Sequence, residues 1–179
     1  MAANIDDSAA LANWIALAQN GDRSAFEFLI ENTQSKLFKF CFVLSANRAQ
    51  ADDLLQETYL RALVKIHKLR EPNQFMAWLF RIAKNVYLDQ WRSRKLQGQA
   101  MNKIADLADS SRDEEATHTV AVRQALSQFD PKDRYLLSLI DLAGFTYAEA
   151  ADIFGESEAA VKSRVFRLRK SFLKKLTGE

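Results

Sequence analysis

Apolar residues recur along this chain at helical spacing, i, i+3, i+4, i+7, in stretches separated by glycine, proline and capping residues. No alternating pattern of useful length indicates a strand. Ser8 to Asn20 carries Leu11, Trp14, Ile15 and Ala18 on one face and stops at Gly21. Asp22 can cap a second helix, bearing Phe26, Leu29, Ile30, Leu37, Phe40 and Cys41 and ending near Ser45. After a turn at Asn47, a third helix from about Ala49 to Lys68 has Leu55, Tyr59, Ala62, Leu63 and Ile66 on its apolar side. Pro72 disfavours helix in the residue before it, so Leu69 to Phe75 reads as a loop. A long helix follows, about Asn73 to Lys95, with Phe75, Trp78, Leu79, Ile82 and Val86 as its core stripe.

Leu96 to His118 has weak periodicity and reads as a flexible linker. Helix resumes at Thr119, and Asp130-Pro131 supplies a cap and a first-turn proline for the next helix, which ends near Gly144. Thr146 and Glu149 have capping-box spacing for a short helix through Ile153. Gly155 lies in the turn, and Ser157 can cap a last helix striped by Val161, Val165, Leu168 and Phe172. Two short helices joined by a glycine-containing turn, the second basic on its free face, have the form of a helix-turn-helix. The fold expected is all-α: two small helical bundles joined by a flexible linker, the C-terminal one containing the helix-turn-helix. The boundaries are 1–95, 96–118 and 119–179.

Composition adds little. At 48% hydrophobic, the 179 residues have ample material for a core. One cysteine excludes an intrachain disulfide, and with two histidines beside it no zinc cluster is expected. Cys41 lies among apolar residues and reads as a small core residue. No run is long enough to span a membrane and no secretory leader is visible, so a soluble cytoplasmic protein is expected.

Charge is more informative. Residues 1–59 carry eight acids and four bases, a net of −4. Residues 61–103 carry ten bases against Glu71 and Asp89, and seven bases with no acid lie between Lys162 and Lys175. Residues 106–115 form an acidic segment between these blocks, with five acids and Arg112. Two separate basic blocks indicate two contacts on a polyanion. The plain alternative for the second block is a helical hairpin with a solvated basic face. Asp53, Gln56 and Glu57 share one face at i, i+3, i+4, a spacing that also suits an ordinary solvated face. In the long helix, Lys84, Trp91 and Lys95 point away from the core stripe at about 100° per residue, with Arg81 and Arg92 flanking. Trp91 could stack there on an unpaired base or pack against a neighbouring helix. No P-loop, metal cluster or nucleophile beside a histidine is visible, so neither enzyme activity, cofactor nor small-molecule substrate is expected.

Three stretches carry a resemblance. The segment from Asp52 to Ala62 (DDLLQETYLRA) resembles the part of sigma factor region 2 that grips RNA polymerase. Phe75 to Arg94 (FMAWLFRIAKNVYLDQWRSR) resembles the promoter-melting, −10-reading helix. Gly144 to Ala151 (GFTYAEAA) with Val161 to Arg169 (VKSRVFRLR) resembles the region 4 helix-turn-helix. In this order they are similar to the minimal bacterial sigma factors of the extracytoplasmic-function type. The resemblance implies that Asp53, Gln56 and Glu57 meet the β′ clamp of core RNA polymerase, with the β flap as a second contact. It assigns Leu69, Asn73 and Phe75 to the pocket for a flipped −10 base, and Asn85, Trp91, Arg92 and Arg94 to the non-template strand. Lys162, Ser163, Arg164, Phe166 and Arg167 align with positions entering the major groove at −35, Arg164 being nearest the apolar stripe.

An anti-sigma factor, often membrane-bound, is a further partner the family implies. The departures are Ala159-Ala160, where the family usually has Gly-Thr, and Phe129-Asp-Pro131 in place of Leu-Pro. No third domain of larger sigma factors and no C-terminal sensory extension is recognisable. The competing readings are a conventional helix-turn-helix regulator acting without polymerase, and a helical protein-interaction module with incidental basic patches.

Overall fold

Side chains that cap helix ends set most of the boundaries in the computed structural model, which describes residues 8–45, 47–96 and 114–177. Asp22 accepts from the Ala25 amide at 3.1 Å and opens α2 (Arg23–Leu44), just after α1 (Ser8–Gln19). Asn47 accepts from the Gln50 amide at 2.9 Å and opens α3 (Arg48–Lys65). A 3-10 turn, Ile66–Lys68, tightens the end of α3, and another, Pro72–Gln74, leads into α4 (Phe75–Leu96). Glu71 is extended, as the following proline requires. The long helix therefore starts two residues later than its pattern suggests.

Beyond α4, α5 (Glu114–Ser127) begins five residues before the expected Thr119, because its first turn holds almost no apolar residue to betray it. The linker reading otherwise falls on 97–113, outside the described residues. Asp130 caps α6 (Pro131–Asp141) through the Lys132 amide at 2.9 Å. Thr146 and Glu149 form both halves of a capping box at the start of α7 (Tyr147–Phe154). Gly155 closes α7 with φ +69°, and its amide bonds the Ala151 carbonyl at 2.8 Å. A Cβ would be strained in that left-handed conformation. Ser157 then accepts from the Ala160 amide at 3.2 Å and opens α8 (Glu158–Thr177). No strand occurs among the described residues, and none of these helices is long and apolar enough to cross a membrane.

Buried apolar residues run without a break from Leu11 in α1 to Leu168 in α8. The helices before and after 97–113 therefore share one core, with α2 and α4 against α5, α6 and α7. Cys41 is fully enclosed in it, and burial pushes its thiol up to about 12, the protonated, unreactive form. The expected stripes are largely buried, with one correction. Leu63, assigned to the apolar side of α3, is 50% exposed, and Ala51, Leu54 and Thr58 complete the buried face instead. Thr58 turns its hydroxyl back onto the Leu54 carbonyl at 2.6 Å, which lets a polar residue sit in the core.

Gln19 has a role that periodicity does not reveal. Its Nε2 donates to the Ile66 carbonyl at 3.0 Å and the Leu69 carbonyl at 2.7 Å, so α1 holds the loop between α3 and α4. Gln19→Ala leaves two half-buried carbonyls without this donor. The expected loss is about 1–2 kcal/mol, measured by urea denaturation.

Candidate polymerase and nucleic-acid interface

On α3, Asp53 and Gln56 are exposed and Glu57 is half-buried, so the trio forms one continuous face. Glu57 is tied down, because Arg61 Nε donates to its Oε1 at 2.7 Å while Arg61 Nη1 reaches Asp89 Oδ2 at 2.9 Å on α4. These two hydrogen bonds, Asp89 first, hold the Arg61 guanidinium firmly charged. Beside Gln56 lies a groove of about 540 Å³ between α1, α2 and α3, with Phe26, Ile30, Tyr59, Leu60 and Leu63 in its lining. Leu60 is 55% exposed and Val64 70%. Large aliphatic side chains so open to water beside an acidic face have the composition of a docking surface.

The loop from Leu69 to Phe75 divides differently from expectation. Leu69 and Phe75 are core residues, and of the three residues assigned to this loop only Asn73 is exposed. The two buried ends anchor the loop and leave Asn73, with Arg70, Glu71 and Gln74, open to solvent. Asn85 and Arg92 are exposed on α4, and Arg92 Nη1 bonds Asp89 Oδ1 at 3.1 Å. Arg94 Nη1 donates to Gln50 Oε1 at 3.0 Å, joining the end of α4 to the start of α3. Burial lowers the pKa of Arg94. Trp91 is half-buried and does not belong to the side chains packed on the core. Lys95 Nζ lies 5.1 Å from its ring centroid. Lys84 is not free: its Nζ donates to the Ile153 carbonyl on α7.

The second helix of the helix-turn-helix sorts its bases into two sets. Arg164 turns inward, with Nε 2.6 Å from Asp133 Oδ1 and Nη1 2.9 Å from Glu156 Oε1. It thereby ties α8 to α6 and to the turn. Arg169 pairs with Asp141, and its Nη1 reaches the Tyr147 hydroxyl at 3.1 Å. Lys162, Ser163, Phe166 and Arg167 are left on one exposed face, with Lys170 a turn further on. Phe166 is 74% exposed. Arg167 has no ion pair among the described residues.

Comparison with known proteins gives this arrangement a family. Residues 29–97 match Sigma-70 region 2 and residues 119–172 match Sigma-70 region 4. The ECF RNA polymerase sigma factor EcfG of Rhodopseudomonas palustris is 34% identical over 132 residues, 73% of each chain. The chain belongs to the extracytoplasmic-function sigma factors. The ECF sigma factor SigC of Mycobacterium tuberculosis is 31% identical over 178 residues, 97% of this chain and 95% of that one. Among solved structures, the sigma factor RpoE in complex with the anti-sigma factor NepR from Bartonella quintana is 26% identical with a TM-score of 0.68. That match covers 85% of this chain and 96% of that one.

This sigma factor is accordingly a polymerase-binding subunit that directs transcription initiation. Its apolar groove escaped sequence reading because Leu60 and Leu63 sit at helical spacing that equally suits a core stripe. The available signal was their surplus over what one stripe of α3 can bury.

Proposed function

We propose that this sigma factor divides its work between its two family regions. Asp53, Gln56 and Glu57, with the neighbouring groove, take the β′ clamp of core polymerase. Asn73 meets a flipped −10 base at the loop that Leu69 and Phe75 anchor. Asn85, Trp91 and Arg92 follow the separated non-template strand, and Arg94 holds their helix in place. Trapping extruded bases offsets an unstacking cost of a few kcal/mol each. Lys162, Ser163, Phe166 and Arg167 enter the major groove at −35, where a guanidinium bonds a guanine edge and Phe166 covers a thymine methyl. Arg164 acts through Asp133 and Glu156 as a positioning residue. The region 4 half also meets the β flap, and an anti-sigma factor covers these surfaces in the cytoplasm. The chemistry of RNA synthesis stays with the polymerase.

The single observation that carries this reading is the division of the α8 bases: Arg164 and Arg169 face carboxylates, while Lys162, whose Nζ lies 5.7 Å from the Tyr147 ring centroid, and Arg167 have no carboxylate partner among the described residues and share one exposed face. Structural pairing alone explains the two arginines and leaves the exposed face without a carboxylate among the described residues. Transcription from fragmented genomic DNA with purified core polymerase tests it. Discrete start sites that need this chain are expected, with a shared element near −35. Tight sequence-specific binding by the free chain at physiological salt, without chain-dependent start sites, would instead establish a conventional regulator.

A further inference from the structure

Tyr147 opens α7 and touches two bases of α8, one through its hydroxyl and one through its ring. The ring is half-buried and packs against the core. Arg169 Nη1 donates to the hydroxyl at 3.1 Å. That arginine is itself fixed. Its Nε lies 3.1 and 3.2 Å from the two carboxylate oxygens of Asp141, and its Nη2 pairs with Asp141 Oδ1 as well. The Asp141 hydrogen bonds hold the guanidinium firmly charged. Lys162 Nζ lies 5.7 Å from the centroid of the same tyrosine ring. A chain of contacts therefore runs from Asp141 at the end of α6, through Arg169 and Tyr147, to Lys162 on the exposed face of α8.

A carboxylate for Lys162 is within sequence reach but is not used. Glu158 precedes it by four residues in α8, the order in which an acid best pairs with a lysine. No ion pair joins the two, and the ammonium lies by the tyrosine instead. The choice of partner has a chemical consequence. A carboxylate occupies N–H donors, as Glu156 and Asp141 do on Arg164 and Arg169. An aromatic face attracts the cation through its quadrupole and leaves the ammonium N–H groups unused. A long, flexible side chain is thereby narrowed in its range while its donors stay available for DNA.

We infer that Tyr147 is a positioning residue for promoter recognition: its ring, anchored by Arg169 and Asp141, holds Lys162 ready for the major groove. The inference rests on the assignment of Lys162 to the −35 element proposed above. Tyr147 acts through the lysine and not through a DNA contact of its own.

A double-mutant cycle on binding of the polymerase holoenzyme to a duplex promoter, chosen from the mapped start sites, tests this. Tyr147→Phe keeps the ring under the lysine, and because packing still holds that ring, binding should stay within about 1.5-fold of the parent. Tyr147→Leu fills much of the same space without an aromatic face, and binding should fall about three- to fivefold. Lys162→Ala should lose about fivefold or more. Tyr147→Leu added to Lys162→Ala should then cause no further loss, because the residue it positions is gone. Equal losses in the phenylalanine and leucine variants would assign the effect to the hydroxyl, as a direct phosphate contact does, and overturn the inference. A leucine variant that binds like the parent overturns it too. So does a further three- to fivefold loss on top of Lys162→Ala, the signature of a general disturbance of α7. Parent-like binding by Lys162→Ala itself overturns the −35 assignment of that lysine and the positioning role with it, whereas additive losses overturn the positioning role alone.

Discussion

Arg167→Ala should weaken recruitment to the −35 element by about 1–3 kcal/mol, roughly 5- to 150-fold, if its guanidinium bonds a base edge. The residue is exposed one turn after Ser163 and has no ion pair among the described residues, so its removal leaves no buried partner stranded. A template already melted around −10 should not rescue the loss fully, because recruitment precedes melting. Trp91→Ala should behave in reverse. Its ring lies off the core and under Lys95, where stacking on a base helps only after the strands part. Closed-complex binding should be spared, opening slowed, and the defect rescued on the pre-melted template. Polymerase–promoter binding and potassium permanganate footprinting read the two steps separately. Identical responses of two folded variants to pre-melting would refute the division of labour.

Loss of polymerase binding should follow two independent changes on α3. Asp53→Lys with Gln56→Ala reverses the charge of the exposed part of the acidic face, and should abolish co-elution with core enzyme while helical content is unchanged. Glu57 is left alone in this test because it also holds Arg61, and through Arg61 the Asp89 carboxylate of α4. Leu60→Ser with Leu63→Ser removes the apolar rim of the groove instead. Both side chains are already half in water, so the cost to folding should stay within about 0.5 kcal/mol. Affinity for core polymerase should nevertheless fall about tenfold or more, as truncation of interface anchors does. Normal affinity in the serine variant would confine the contact to the polar face.

Much of the fold was legible because its signals are local. A cap such as Asp22, Asn47 or Thr146 bonds an amide three residues away, and Gly155 adopts its left-handed conformation for the sake of the turn it closes. The stripes of α2, α4 and α8 need only a partner of some kind, so period alone finds them. Where α3 offers more leucine than one face can bury, the same period errs, and Leu63 is the result. Leu69 and Phe75 are a different case. Their positions in a family motif suggest contact with DNA, but an apolar residue at the end of a loop serves the core when a helix such as α1 covers it.

Sequence by itself determined the all-α class, the helix-turn-helix, the face bearing Asp53, Gln56 and Glu57, and the two basic helices. All of these follow from spacings within a single helix or turn. Tertiary structure decided which of those charges are free. Arg164 and Arg169 find carboxylates on α6 and in the turn, Arg81 and Lys84 find the open carbonyls of α7, and Lys162 and Arg167 find neither among the described residues. The physical reason is that helical period gives the direction in which a side chain leaves its own helix. Whether water or another helix stands in that direction depends on how the two halves meet, through contacts such as Tyr135 to Phe80, 55 residues apart in the chain.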